Sequence, residues 1–116
     1  EYDLQVAKTL FDKGHYLYVG FMCHQAIEKI LKSMYVKHTS AMPPYIHKLD
    51  KLVERAGLKE SISEEHNDFI DELTPLNIQA RYPAYREAIY NLIDKEKAAH
   101  IIDKTQELLQ WLKAQI

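Results

Sequence analysis

The sequence predicts an all-α protein, an antiparallel up-and-down bundle of about five helices. Apolar residues recur at helical spacing in several long segments, and no segment shows the alternation typical of a half-buried strand. Glycines and prolines separate these segments. The chain has 116 residues, of which 47% are hydrophobic and 28% charged. This composition is typical of one globular domain, so we expect a single domain over residues 1–116 with short loops between helices.

The N-terminal third of the chain predicts two helices. The first has an apolar stripe over residues 4–11 and ends at Gly14. The second begins at Tyr16 and is predicted to run for about six turns. It ends before Pro43 and Pro44, because a proline cannot donate a backbone hydrogen bond and restrains the residue before it. Its helix-spaced apolar positions are Val19, Cys23, Ala26, Ile27, Ile30, Leu31 and Met34.

The middle of the chain predicts two more helices. A short helix begins near Tyr45, with Ile46, Leu49, Leu52 and Val53 facing inward, and stops at Gly57, since glycine suits the left-handed position after a helix. Ser61 and Glu64 have the spacing of a capping box, which places the start of the next helix at Ser61. Pro75 is expected to kink that helix because it removes one intrahelical hydrogen bond.

The last part of the chain predicts a broken segment and then a final helix. Residues 81–93 contain three tyrosines and a proline, which favours a loop leading into a short helical stretch. Asp94 is a suitable N-cap for the final helix. Trp111 is expected on the flank of that helix. Its predicted inward stripe is Ala98, Ile101, Ile102, Thr105, Leu108, Leu109 and Leu112.

Composition and charge exclude several classes of protein. The formal charge is −2, and Cys23 is the only cysteine, so an internal disulfide and a multi-cysteine zinc site are excluded. The apolar stretches are too short to cross a bilayer, which predicts a soluble protein without membrane association. With a single cysteine nothing requires an oxidising compartment, so the cytoplasm is the expected location. Residues 29–59 are rich in lysine and residues 60–80 in acid. We interpret this as solvated helix faces that pair with each other; the alternative is a polarised surface for a charged partner.

One polar strip lies beside the apolar face of the second predicted helix. His24, Glu28 and Lys32 are spaced by four residues and therefore share one side of the helix. The structural interpretation is a Glu28–Lys32 pair next to a half-buried histidine. A metal site is not expected, because two ligands are too few and no H-E-x-x-H motif is present. Cys23 lies on the apolar stripe and is expected in the core rather than as a nucleophile.

A second candidate is the segment from Arg81 to Arg86, with sequence RYPAYR. Arginine binds phosphate in a bidentate manner, and a tyrosine ring offers a base a surface for stacking. This composition therefore suits contact with a nucleotide or RNA. The equally weighted alternative is structural, with one arginine tying the loop to the acidic helix.

Together these residues resemble a HEPN domain (higher eukaryotes and prokaryotes nucleotide-binding). The resemblance begins with the first stripe and Gly14-His15-Tyr16, and it continues through His24-Gln25-Ala26 and residues 28–32, with sequence EKILK. His47-Lys48-Leu49 is similar to the family's H-x-L helix opening, and Ala80–Pro83 to its RYP segment. The end of the last helix, Trp111-Leu112-Lys113, resembles the closing helix of the family.

The resemblance implies a helical bundle that forms homodimers. Such proteins are often encoded beside a minimal nucleotidyltransferase, as toxin and antitoxin partners. The active branch of the family comprises metal-independent endoribonucleases with an R-x4-6-H motif assembled across the dimer cleft. Counted from Arg81, the histidine would fall on Arg86, Glu87 or Ala88, so this motif is absent.

The functional prediction is a non-catalytic module without a cofactor. It binds a nucleotide or RNA through Arg81, Tyr85, Arg86 and Lys32, or regulates a nucleotidyltransferase partner. The strip of His24, Gln25 and Glu28 is a further polar site or an interface that packs the dimer. The alternative is an endoribonuclease toxin with a divergent active site that uses Arg81 and a histidine from elsewhere, for which His24 is the first candidate.

Overall fold

The computed structural model describes residues 2–42, 48–81 and 93–115, with residues 77–81 described by their backbone alone. Every regular element in these ranges is a helix, which confirms the predicted all-α class. The described helices are α1 (Tyr2–Asp12), α2 (Tyr16–Thr39), α3 (Leu49–Arg55), α4 (Glu64–Arg81) and α5 (Lys95–Ala114).

Helix α2 is the central element of the bundle and packs against each of the other four described helices. Gly20 near its start lies against Leu76 near the end of α4. Glu65 of α4 pairs with Lys104 of α5, and the later residue Glu72 pairs with the earlier residue Lys97. The helices α4 and α5 are therefore antiparallel. Cys23 contacts Thr105, and the later residue Ala26 lies beside Leu109, so α2 and α5 are parallel. It follows that α2 and α4 are also antiparallel.

The predicted apolar stripes meet in one core. α2 contributes Val19, Cys23, Ile27 and Leu31, all of them fully buried. Trp111 of α5 is only partly buried and packs at the edge of the core, as expected for its flank position. Leu10 and Phe11, which were predicted on the apolar stripe of α1, are also only partly buried. The largest fully buried aliphatic side chains are Ile27, Leu31, Leu49, Leu52, Ile70, Leu73, Ile101, Leu108 and Leu112.

Three of the predicted helix boundaries are confirmed. Gly14 and Gly57 follow the ends of α1 and α3 with φ of 81° and 78°. Glycine adopts this left-handed conformation without the steric cost that a Cβ imposes. Asp94 caps α5, and its carboxylate accepts a hydrogen bond from the Lys97 backbone N–H at 2.8 Å.

The predicted starts of α3 and α4 were wrong. α3 begins at Leu49 and not near Tyr45, because Lys48 has the extended conformation of a residue before a helix; Tyr45 and Ile46 lie outside the described residues. α4 is capped by Ser63 and not Ser61. The Ser63 hydroxyl accepts the His66 N–H at 3.1 Å, one turn into the helix. Ser61 instead lies in the preceding turn, where its N–H donates to the Leu58 carbonyl.

Gly57→Ala is expected to lower the free energy of unfolding by about 2 kcal/mol. Alanine at a positive φ is strained, and its Cβ would lie 3.1 Å from His38 Nε2. Gly14→Ala is the matched control, since Gly14 has the same backbone conformation with no atom within 4 Å of the added Cβ. Urea unfolding followed by circular dichroism measures both. Equal losses in the two variants would show that the His38 contact contributes nothing.

The acidic residues of α4 pair with α5. Lys97 contacts Glu72, and Lys104 Nζ lies 2.7 Å from Glu65 Oε1. The hydrogen bond from Lys104 lowers the pKa of Glu65. The interpretation that residues 60–80 pair with residues 29–59 is therefore wrong for these two acids, because α5 lies along the charged side of α4. His66 of α4 and Trp111 of α5 also meet, with ring centroids 5.7 Å apart.

Candidate functional site

A series of polar side chains runs along one face of α2, from the surface into the interior. The Lys32 side chain is 23% exposed and donates a hydrogen bond to Glu28 Oε2 at 3.0 Å. Glu28 Oε1 lies 3.6 Å from His24 Nδ1. His24 is 1% exposed and Glu28 5% exposed. Helical spacing also aligns His24 and Glu28 with Gly20, which packs against α4.

The expectation of a half-buried histidine was therefore wrong. The sequence pattern assigned one apolar face to α2 and left the strip beside it toward solvent. Because four helices surround α2, the face that carries His24 and Glu28 is covered as well. Gln25, one residue further round the helix, is half-buried. The expected Glu28–Lys32 pair is present in the structure.

The burial of Glu28 determines what Lys32 does. An ionised carboxylate away from water is costly unless a cation or hydrogen-bond donors compensate it. Lys32 provides such a cation at 3.0 Å. Its ammonium group therefore stabilises an internal charge, and a phosphate would have to compete with Glu28 for it.

Arg81 and Lys32 lie far apart. Arg81 is the last residue of α4, five residues beyond Leu76. Lys32 is twelve residues beyond Gly20 in the antiparallel helix α2. Since Gly20 contacts Leu76, a rise of about 1.5 Å per residue separates the two backbones by more than about 20 Å. Only the backbone of Arg81 is described, and Tyr85 and Arg86 lie outside the described residues.

The same geometry places a different histidine at the end of the bundle that carries Arg81. His15 is exposed and precedes the first residue of α2. It lies five residues before Gly20, toward the N-terminal end of α2. Because α4 is antiparallel to α2, its C-terminal residue Arg81 lies at the same end of the bundle. His24 lies on the other side of Gly20 and points into the interior. Sequence reasoning chose His24 because of its polar neighbours, whereas the spatial position of His15 depends on the antiparallel packing of α2 and α4.

A buried acid in α1 was missed in the sequence. Asp3 is 5% exposed, and its Oδ2 lies 2.8 Å from Lys29 Nζ of α2. Asp3 lies four residues before Ala7 and so continues the apolar stripe of α1. Its position on this stripe could have predicted the burial of Asp3 from the sequence. Its pairing with Lys29 could not be predicted, because it depends on the packing of α1 against α2.

Two classes of site can be assessed from the described residues. Within residues 2–42, 48–76 and 93–115, no three histidine, cysteine or acidic side chains come together in a way that would hold a metal ion. No described helix has the length and apolar character needed to cross a bilayer. Cys23 is fully buried as predicted for a core residue.

Cys23 makes a testable contribution to the pH dependence of stability. Burial raises the pKa of its thiol to about 11, and the neighbouring Thr105 side chain acts in the opposite direction and offsets part of that effect. The unfolded thiol ionises at lower pH, so the folded state loses stability as pH rises from about 9 to 11. Between pH 8 and pH 11 we expect the Cys23 thiol to lower the free energy of unfolding by about 2 kcal/mol. Cys23→Ala should not show this contribution. Urea unfolding across this range measures it, and parallel curves for the two proteins would contradict it.

Comparison with known proteins gives a family and a fold. The HEPN domain family model matches residues 1–115. The crystal structure of TT1696 from Thermus thermophilus superposes with a TM-score of 0.83 at 19% sequence identity. The superposition covers 99% of this chain and 91% of that chain, so the two share one fold over nearly their full lengths. No curated protein sequence matches this chain.

Proposed function

Because the chain belongs to the HEPN domain family, we propose that it is a non-catalytic module that binds a nucleotide or the phosphates of RNA. In this proposal it acts as a homodimer beside a minimal nucleotidyltransferase, as one member of a toxin–antitoxin type pair. Binding takes place at the end of the bundle where α4 terminates at Arg81.

The burial of His24 is the observation that carries the proposal. Cleavage of RNA without a metal requires a group that accepts the proton of a ribose 2′-hydroxyl, and that group must reach the substrate. The positions of the family's R-x4-6-H motif hold Arg86, Glu87 and Ala88 in this chain. His24, the first candidate for a substitute, is 1% exposed between helices. Binding without turnover is the activity that agrees with these facts.

The phosphate ligands proposed are Arg81 and two residues outside the described part of the chain, Tyr85 and Arg86. A guanidinium group forms paired hydrogen bonds with phosphate oxygens, and a tyrosine ring stacks on a base. Lys32 is more than about 20 Å from Arg81 along the bundle, so one nucleotide does not contact both. Lys32 therefore joins the binding surface only for a longer RNA.

The alternative function is an endoribonuclease toxin with a divergent site. One observation favours it: the exposed His15 lies at the same end of the bundle as Arg81. An imidazole ring both accepts and donates a proton and is therefore suited to proton transfer. In that case His15, rather than His24, supplies the group that the motif lacks.

Incubation of a labelled single-stranded RNA with the purified protein in EDTA tests both functions. We expect RNA binding without cleavage, with binding at least tenfold weaker in Arg81→Ala. Arg55→Ala is the matched control, because Arg55 is an exposed arginine at the end of another helix. Cleavage that disappears in Arg81→Ala and His15→Ala would establish the alternative. The absence of both binding and cleavage in the unmodified protein would overturn the proposal.

The proposed partners need a separate measurement. Light scattering after size exclusion is expected to give twice the 13.6 kDa mass of the chain. Co-expression with a nucleotidyltransferase encoded beside it is expected to yield a complex that survives purification. A monomeric chain that does not retain the nucleotidyltransferase would contradict this part of the proposal.

A further inference from the structure

A cavity of about 320 Å³ lies at the end of the bundle where α2, α3 and α5 terminate. We call it the terminal cavity. Three buried apolar side chains contribute to its wall, one from α2 and two that follow α3. Its volume is close to the lower limit for small-molecule sites, roughly 300–1,000 Å³, so it suits one small ligand and not a helix or a strand of RNA. The described residues that line it are Met34, Lys37, His38, Ala56, Gly57, Leu58 and Gln115.

The terminal cavity has a cation that is available to a ligand. Lys37 is exposed, and within the described part of the chain its ammonium group makes no ion pair or hydrogen bond. None of the described residues that line the cavity is acidic. Lys32, one turn earlier in α2, differs because Glu28 engages its ammonium group at 3.0 Å. An anion at Lys37 therefore does not compete with a carboxylate of the described lining.

His38 presents a flat ring beside this cation. Its Nε2 and Cε1 atoms lie 3.1 and 3.2 Å from the position that a Cβ on Gly57 would occupy. The absence of a side chain at Gly57 thus leaves the space in which the ring packs. The residue is otherwise exposed at the cavity, where a nucleic-acid base can stack on its imidazole. Because the turn after α3 already restrains the ring, stacking costs less conformational entropy.

The interior of the terminal cavity offers acceptors for the N–H groups of a base. The last carbonyl groups of a helix lack intrahelical donors, and three helices end here. Gln115 Nε2 donates to the Trp111 carbonyl at 3.3 Å, which leaves its Oε1 to accept from a ligand. The partial negative charge of helix ends opposes a phosphate in the interior. The phosphate therefore belongs at the rim, beside the exposed Lys37.

We infer that the terminal cavity binds one nucleoside monophosphate, with its base on His38 and its phosphate at Lys37. The inference rests on the proposed function for the class of ligand, but it assigns a second site. Lys37 is seventeen residues beyond Gly20 in α2, and Arg81 is five residues beyond Leu76 in the antiparallel helix α4. A rise of about 1.5 Å per residue separates the two backbones by more than about 30 Å, so one nucleotide does not contact both.

Calorimetric titration of the full chain with each of the four 5′-nucleoside monophosphates tests the role of Lys37. Lys37→Met is expected to bind at least about tenfold more weakly, because it loses a charge-assisted hydrogen bond to phosphate. Lys37→Arg retains the charge and should bind within about threefold of the unmodified protein. The matched control is Lys51→Met, which removes an exposed lysine that does not line the cavity and should leave the affinity unchanged. Circular dichroism confirms that each variant is folded.

His38 provides a second arm of the experiment, which distinguishes stacking from charge. His38→Ala is expected to weaken binding about 5- to 100-fold, whereas His38→Phe retains a flat ring and should bind within about threefold. Inorganic phosphate that binds as tightly as the nucleotides would show that the cavity recognises an anion alone. Adenosine that binds as tightly as its monophosphate would show that Lys37 does not hold the phosphate. Either result would overturn the inference.

The same variants combined with Arg81→Ala separate this inference from the proposed function. Nucleotide binding that survives in Arg81→Ala and is lost when Lys37→Met is added would support the terminal cavity. Nucleotide binding that is lost in Arg81→Ala alone and is normal in Lys37→Met would overturn the cavity and leave the proposed function standing. The same holds if labelled RNA binds and none of the four nucleotides does. If neither RNA nor a nucleotide binds, both proposals fall.

Discussion

Gly20→Leu is expected to lower the free energy of unfolding by about 3 kcal/mol, because Leu76 of α4 packs directly against this residue of α2. A Cβ at position 20 would lie 2.7 Å from Leu76 Cδ1 and 3.4 Å from Leu76 Cβ. The Leu76 side chain can rotate away from a methyl group, but a larger side chain must displace the helix backbone. Urea unfolding followed by circular dichroism measures the loss.

Two further variants identify the cause of that loss. Gly20→Ala should change stability by less than about 1 kcal/mol, because the gain in helix propensity offsets the contact with the flexible end of Leu76. Adding Leu76→Ala to Gly20→Leu should recover part of the loss by making room between the helices. A Gly20→Leu protein as stable as the unmodified chain would contradict close packing of α2 on α4.

Lys32→Met is expected to lower the free energy of unfolding by about 2–4 kcal/mol. The change keeps the length and the apolar part of the side chain but removes the ammonium group that lies 3.0 Å from Glu28. Glu28 is 5% exposed, so its charge would lose its nearest described cation while remaining out of water. Thermal and urea unfolding both measure the effect.

The comparison that decides this prediction is Glu28→Gln/Lys32→Met. Removing both charges leaves no uncompensated carboxylate, so the double variant should be more stable than Lys32→Met alone. Lys51→Met is the control for the loss of an exposed lysine and should change stability by less than about 0.5 kcal/mol. Equal stabilities of Lys32→Met and Lys51→Met would show that Glu28 does not depend on Lys32.

The fold could be predicted from the sequence wherever a local rule determined the structure. Gly14 and Gly57 end helices because the left-handed conformation after a helix favours glycine, and Asp94 caps α5 because its side chain reaches the Lys97 N–H. The start of α4 was misplaced by two residues because serine is a favoured N-cap residue and occurs at both position 61 and position 63. The capping-box spacing favoured Ser61, whereas the hydrogen bond forms at Ser63.

The candidate site was less predictable because it depends on which helices become neighbours. His24, Glu28 and Lys32 were grouped correctly by their spacing, but their burial follows from the number of helices around α2. The Asp3–Lys29 pair joins residues of two helices and has no signal in the order of residues alone. Likewise, the distance between Arg81 and Lys32 depends on the antiparallel packing of α4 against α2. The positions of the cationic residues in the sequence do not reveal that packing.

The fluorescence of Trp111 reports on the contact between one pair of helices, α4 and α5. Trp111 is the only tryptophan in the sequence and lies against His66, so its emission responds to the separation of α5 from α4. Circular dichroism instead averages over all the helices. If the two signals change at the same urea concentration, the bundle unfolds as one cooperative unit. An earlier change in Trp111 emission would show that the contact between α4 and α5 opens before the rest of the bundle unfolds.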